Sequence, residues 1–196
     1  MAFLNPPVYN RACAATAGGI ARVWLFDGND FDFTQTAPAS GSTAVMPYSA
    51  VALATGATAL SGAKMYPIAF EKKTAEHTFK QSKKGSSSKY EHQLEFKLPD
   101  ISQMITNWNK AVDDIGVCGG LGIAIQYNSG KIFIAGERIV NGLPVDVPMD
   151  MVQDGSSGTS GKLMDDENAE TVILKGDYPR KLYEFTGGVA SLISMQ

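Results

Sequence analysis

The chain has 196 residues, 44% hydrophobic and 19% charged, with a formal net charge of -3 at pH 7. That suits one compact domain with a sizeable core, and so near-neutral a balance argues against a strongly basic nucleic-acid binder. Cys13 and Cys118 are far apart and lack a metal-ligand spacing, no apolar run approaches a membrane span, and no signal-peptide pattern opens the chain, so a soluble, cytosolically made protein is expected.

In chain order, residues 1–17 lack periodicity, contain Pro6-Pro7, and read as an extended arm. Gly19–Phe26 is the first clear strand. Ile20, Arg22, Trp24 and Phe26 point one way and Ala21, Val23 and Leu25 the other. Apolar bulk on both faces predicts a central strand. Asp27-Gly28-Asn29-Asp30 is a turn signal, and Phe31-Asp32-Phe33 begins a return. Residues 34–63 are Ala, Ser, Thr and Gly with hardly any charge. They read as a long inserted loop, either covered by another subunit or flexible at the surface. Pro47 disfavours a central strand over Val45–Leu53.

The stretch from Tyr66 to Ile115 reads as a long β-hairpin followed by an amphipathic helix. Tyr90, His92, Leu94, Phe96 and Leu98 alternate with Lys89, Glu91, Gln93, Glu95 and Lys97, a period of two. The arms Tyr66–Lys80 and Ser88–Leu98, folded about Lys84, pair Glu71 with Lys97, Lys73 with Glu95, His77 with Glu91, Phe70 with Leu98 and Thr74 with Leu94. This register puts His77 and His92 on opposite faces. Asp100 is a candidate cap with Gln103, and Gly116 a candidate stop. Ile101, Met104, Ile105, Trp108, Ala111, Val112 and Ile115 form an apolar stripe. Phe70, Leu94, Phe96 and Leu98 on the hairpin are expected to pack against Met104, Ile105 and Trp108.

Leu121–Tyr127 and Lys131–Ala135 read as a second hairpin about Asn128-Ser129-Gly130. Glu137–Val140 continues the sheet to a turn at Asn141-Gly142. Val145, Val147, Met149 and Met151 read as a half-buried edge strand, and Gln153–Gly161 as a loop. Glu170–Leu174 and Lys181–Phe185 read as a last pair about Gly176-Asp177-Tyr178-Pro179.

Signals for chemistry are sparse. The glycines at 116, 119, 120 and 122 follow a helix, whereas a dinucleotide loop opens one. Asp146 and Asp150, and the run Asp165-Asp166-Glu167, read as solvated carboxylates. No nucleophile, base and orienting group can be named together, so no enzyme and no cofactor or metal are expected.

The signal is architectural. Arms of about a dozen residues make a ribbon about 40 Å long, which a domain this size cannot bury on both faces. Its edge is sticky unless paired, and pairing around a ring removes it. A strand of the type GGIARVWLFD, a long low-charge insertion, a long hairpin, one flanking helix and further short strands resemble bacteriophage tail tube proteins. The inner-tube proteins of contractile injection systems and type VI secretion are similar. The resemblance implies a mainly β fold with one flanking helix: a sandwich or barrel in residues 1–196 whose hairpin closes into a ring-shaped barrel on oligomerisation. It implies a virion protein, made in the bacterial host's cytoplasm, whose stacked hexameric rings contact other tail proteins and pass DNA without binding it specifically. Glu71, Lys73, Gln93, Glu95 and Lys97 would line the lumen, and Val45, Tyr48, Leu53 and Leu60 would contact the next ring. The alternatives are a neck or tail-completion ring protein, or a ligand-binding sandwich with an aromatic platform from Trp24, Tyr48, Tyr66 or Tyr127.

Overall fold

The computed structural model describes residues 18–37, 40, 45–58, 62–84, 87–99, 101–118, 120–145, 151–160 and 168–196. The strands are β1 Ile20–Asp27, β2 Phe31–Gln35, β3 Tyr48–Leu53, β4 Tyr66–Pro67, β5 Glu76–Lys84, β6 Ser87–Pro99, β7 Leu121–Tyr127 and β8 Ile132–Ala135. They continue with β9 Ile139–Val140, β10 Leu143–Pro144, β11 Val152–Gln153, β12 Ser157–Thr159, β13 Ala169–Tyr178 and β14 Tyr183–Phe185. Helix α1 spans Gln103–Cys118 and α2 Val189–Ile193. The fold is mainly β with two helices, one more than expected, and neither sheet closes into a barrel among the described residues.

One sheet has nine strands in the order β10-β9-β2-β3-β14-β8-β7-β1-β4. The other runs β11-β13-β6-β5, with β12 also on β13. Strand β1 explains how they stack. Val23 and Leu25 enter a core with Leu94, Phe96, Val172 and Leu174 of the smaller sheet and Ile105 and Val112 of α1. Trp24 and Phe26 enter a second core with Phe31, Phe33, Tyr48, Ile134 and Leu192. The strand is thus apolar on both faces because both are covered. A bulge between Ile20 and Arg22 turns Ile20 to the side of Val23 and Leu25.

The turn after β1 leads into β2, but the two strands do not pair. β1 pairs with β7 and β4, and β2 with β3 and β9. The nine-stranded sheet folds over instead, bringing Phe26 within 5.5 Å of Phe31 and 5.6 Å of Phe33, centroid to centroid. Gly122 makes room: a Cβ there would lie 2.1 Å from a Phe26 ring carbon.

Several expectations are corrected. Within the low-charge segment, Tyr48–Leu53 is an internal strand between β2 and β14, and Pro47 precedes it, where a missing N–H costs the ladder nothing. Gln153–Gly161 is not all loop, since β12 forms there on β13. The last pair does not exist. β13 runs straight through Gly176-Asp177-Tyr178 along β6, while β14 joins β8 and β3 in the other sheet. Pro179–Leu182 is the crossover. Val147 and Met149 of the expected edge strand lie outside the described residues, as do Asp146, Asp150 and Asp165-Asp166-Glu167. Met151 bridges to Leu121 and is buried.

Helix α1 is capped by Ser102, whose Oγ accepts the Ile105 N–H at 3.5 Å. Asp100 lies outside the described residues. The helix continues through Gly116 to Cys118, and left-handed Gly120 donates its N–H to the Ile115 carbonyl at 2.9 Å. The buried stripe is narrower than the sequence suggests. Ile105 and Val112 are buried and Trp108 and Ile115 half-buried, but Met104 is 75% exposed, and Ile101 and Ala111 face solvent. Met104 sits about 100° around the helix from Ile105, outside the arc that the sheets cover.

Candidate functional site

The candidate site is the free edge of the β5–β6 hairpin. In β6, His92, Leu94, Phe96 and Leu98 are buried, and Gln93, Glu95 and Lys97 half-exposed on the opposite face. β13 pairs with all of β6 from Tyr90 to Pro99, so β6 is internal. β5 pairs with β6 on one side and has no described strand on the other. Apart from His77 it is exposed from Glu76 to Lys83, including Phe79 at 46%.

The register differs from the expected one. Glu71 donates its N–H to the Lys97 carbonyl at 2.9 Å, so those two residues are neighbours. A turn then intervenes. Lys73 is left-handed at φ 68, Thr74 Oγ1 donates to the Glu71 carbonyl at 2.7 Å, and the Lys97 N–H reaches Thr74 Oγ1 at 3.3 Å. Beyond the turn the ladder pairs Glu76 with Glu95, His77 with Leu94, Phe79 with His92, and Lys84 with Ser87. The expected partners of Lys73, His77 and Thr74 are therefore wrong. The turn consumes three residues, an odd number, and every β5 side chain changes face.

Of the five expected lumen residues, the fold brings Gln93, Glu95 and Lys97 onto one outward strand face. Glu71 and Lys73 sit in the turn instead, both exposed. The outward face is polar across three strands: Thr78, Gln93 and Lys175 lie in one row, Lys80, Glu91 and Asp177 in the next. Lys89 bridges to Asp177 at 2.7 Å. Of the expected packing residues, Phe70 lies 6.0 Å from Phe96, and Phe96 lies 6.3 Å from Trp108 edge to face. Leu94, Leu98 and Ile105 are buried, and Met104 is not part of this layer. Of the expected contacts to a next ring, Val45 and Leu53 are exposed, Leu60 lies outside the described residues, and Tyr48 is 1% exposed and cannot reach a neighbour. Of the expected platform aromatics, Trp24 and Tyr48 are buried, Tyr66 is exposed, and half-buried Tyr127 lines an open hollow.

Two clusters escaped the sequence reading. At the crossover, Tyr48 Oη donates to Glu137 Oε1 at 2.6 Å, and Arg180 bonds the same oxygen while stacking 3.6 Å over the Tyr183 ring. Burial and then the Glu137 charge push the Tyr48 hydroxyl up. Burial opposes the Arg180 cation, but Glu137 and Tyr48 together raise it. At the hairpin's base, His77 Nε2 lies 3.1 Å from His92 Nδ1, the rings stacked at 8°, and His77 Nδ1 meets the Tyr127 hydroxyl. The three-residue slip hid this contact. The dipeptide Gly85-Ser86, a two-residue hairpin signal, centres the fold where the ladder has it and would have revealed it.

Open hollows of about 700 and 660 Å³ flank Phe133, one between Gly19, His77, Tyr127 and Lys131, the other between Tyr90, Arg180 and Tyr183. Among the described residues no three His, Cys, Asp or Glu side chains group to hold a metal ion. No described helix is long and apolar enough to cross a membrane. No family model, curated protein or solved structure matches the chain.

Proposed function

We propose that this protein is a structural subunit that self-assembles, edge to edge, into rings that stack as a tube of the phage-tail type. One observation carries the reading: among the described residues β5 is a nine-residue edge with no outer partner, ~30 Å long at ~3.3 Å per residue, on a sheet whose outward face is polar. Such an edge is a template for another strand. Closing the ring satisfies its N–H and C=O groups and turns Gln93, Glu95 and Lys97 toward a wet lumen, through which DNA passes without specific contact. Exposed Val45 and Leu53 then remain as contacts to the next ring or to other tail proteins. The role needs no catalysis and places the chain in the virion.

The test is negative-stain imaging and light scattering of the purified protein. Successive N–H groups of a strand point to opposite sides, so of Thr78 and Phe79 one aims at β6 and the other outward. Rings or tubes are expected for the wild type. Proline at the outward position should leave a folded monomer by circular dichroism. Rings that never stack would favour a neck ring. A wild type that stays monomeric at high concentration, or assembly unchanged by both proline variants, ends the reading.

A further inference from the structure

We infer that His77 and His92 form an acid-sensitive latch that docks the β5 edge onto the opposite sheet and releases it when the pair is protonated. Only its consequence for assembly rests on the function proposed above.

The geometry begins with what holds β5. Among its described side chains from Glu76 to Lys83 only His77 is not exposed, and beyond the β6 ladder the described ties of β5 to the body are His77 and the half-exposed ring of Phe79, over which Lys181 of the crossover lies at 4.9 Å. That ring sits against His92 of β6 and hydrogen-bonds Tyr127 of β7, which belongs to the nine-stranded sheet. His92 is 1% exposed, stacks on Phe79 at 5.6 Å, and meets Tyr178 of β13 edge to face at 5.2 Å. Its Nε2 is buried without a hydrogen bond.

The Nε2–Nδ1 contact needs one N–H and one bare nitrogen. Two neutral rings provide that, and two cations cannot, since both facing nitrogens would carry protons. Burial works against charge on both rings. β7 offers a hydroxyl, Tyr127, and β13 the face of Tyr178. At His92 burial is the largest effect against a charge; from the crossover the Arg180 backbone favours the charged ring, and the Arg180 and Lys181 cations oppose it. Glu76 lines the hollow beside His77 with Lys73 and Lys131, but among the described residues no carboxylate bonds either ring. Burial first, and His92 second, pull His77 down from 6.5 to about 4, and burial lowers His92 too. The sign follows. Between those values the opened hairpin binds more protons than the docked one, so docking is complete above about 6.5 and is lost as the pH falls toward about 4.

The experiment is hydrogen exchange on the full chain, held monomeric at low concentration, across pH 7.5 to 4, with imidazole resonances followed by NMR. Protection of β5 amides, corrected for intrinsic exchange, should fall about tenfold per pH unit for each proton taken up, while β7 keeps its protection. His77→Asn, which cannot take the proton, should flatten that dependence, and Tyr127→Phe should weaken β5 protection at neutral pH. If His77→Asn does not fold, the wild-type resonances decide: an imidazole titrating in the ordinary range near 6.5 overturns the latch. So does β5 protection that is level across the pH range, or that falls equally in His77→Asn. Because the monomer is measured, failure here leaves ring assembly standing, and failure to assemble leaves the latch standing.

Discussion

Strands β1 and β5 have nearly the same length, eight residues and nine, and opposite situations. β1 is hydrogen-bonded along both edges, by β7 and β4, and both faces enter a core. Among the described residues β5 has one strand partner, and its His77 hydrogen-bonds the opposite sheet through Tyr127. Where β1 reads IARVWLFD, β5 reads EHTFKQSKK. Apolar area removed from water is what stabilises a strand, so the molecule concentrates its stability in the β1, β7 and β8 layer and leaves the hairpin edge weakly held. An edge that is available to a partner is of necessity one its own chain does not bury.

That contrast can be sharpened or broken by mutation. The largest effect is expected in the central layer: Phe26→Ala should cost about 3–5 kcal/mol in denaturant unfolding, because the ring lies on Gly122 and between Phe31 and Phe33. Glu137→Ala comes next, at about 3 kcal/mol, since it strands Arg180 and the Tyr48 hydroxyl beneath the crossover. Phe79→Ala on β5 should cost under about 1 kcal/mol, as nearly half of that side chain is already in water. Lys175→Ala, which removes a partly exposed bridge to Asp154, should stay within about 1 kcal/mol. A Phe79 variant as damaging as the Phe26 one would mean the hairpin carries core stability, and the comparison would collapse.

Much of the fold was legible because alternation records burial directly. The period-two pattern of Tyr90–Leu98 gives β6 its faces, and the two-sided apolar pattern of Gly19–Phe26 gives β1 its central place. Asn141 and Gly142, at φ 54 and 73, form the tight turn between β9 and β10 that their identities predict. The helix was legible too, though its stripe was read too wide at Met104.

What a strand's pattern determines is which side chains face inward. It does not determine the partner or the register, because those depend on packing summed over distant segments. The sequence alone therefore placed Phe31–Phe33 as a return beside β1 and Lys181–Phe185 as a partner of β13, and tertiary packing overruled both: the Phe26, Phe31 and Phe33 cluster folds one sheet over, and the Arg180–Glu137 bridge sits where the chain crosses to the other. The hairpin shows the limit most sharply. Glu71 beside Lys97 agreed with the charge pattern, but the left-handed turn at Lys73 adds three residues that no periodicity encodes. An odd slip moves His77 from the solvent face to the buried one, so the contact between the two histidines was a decision of the tertiary structure.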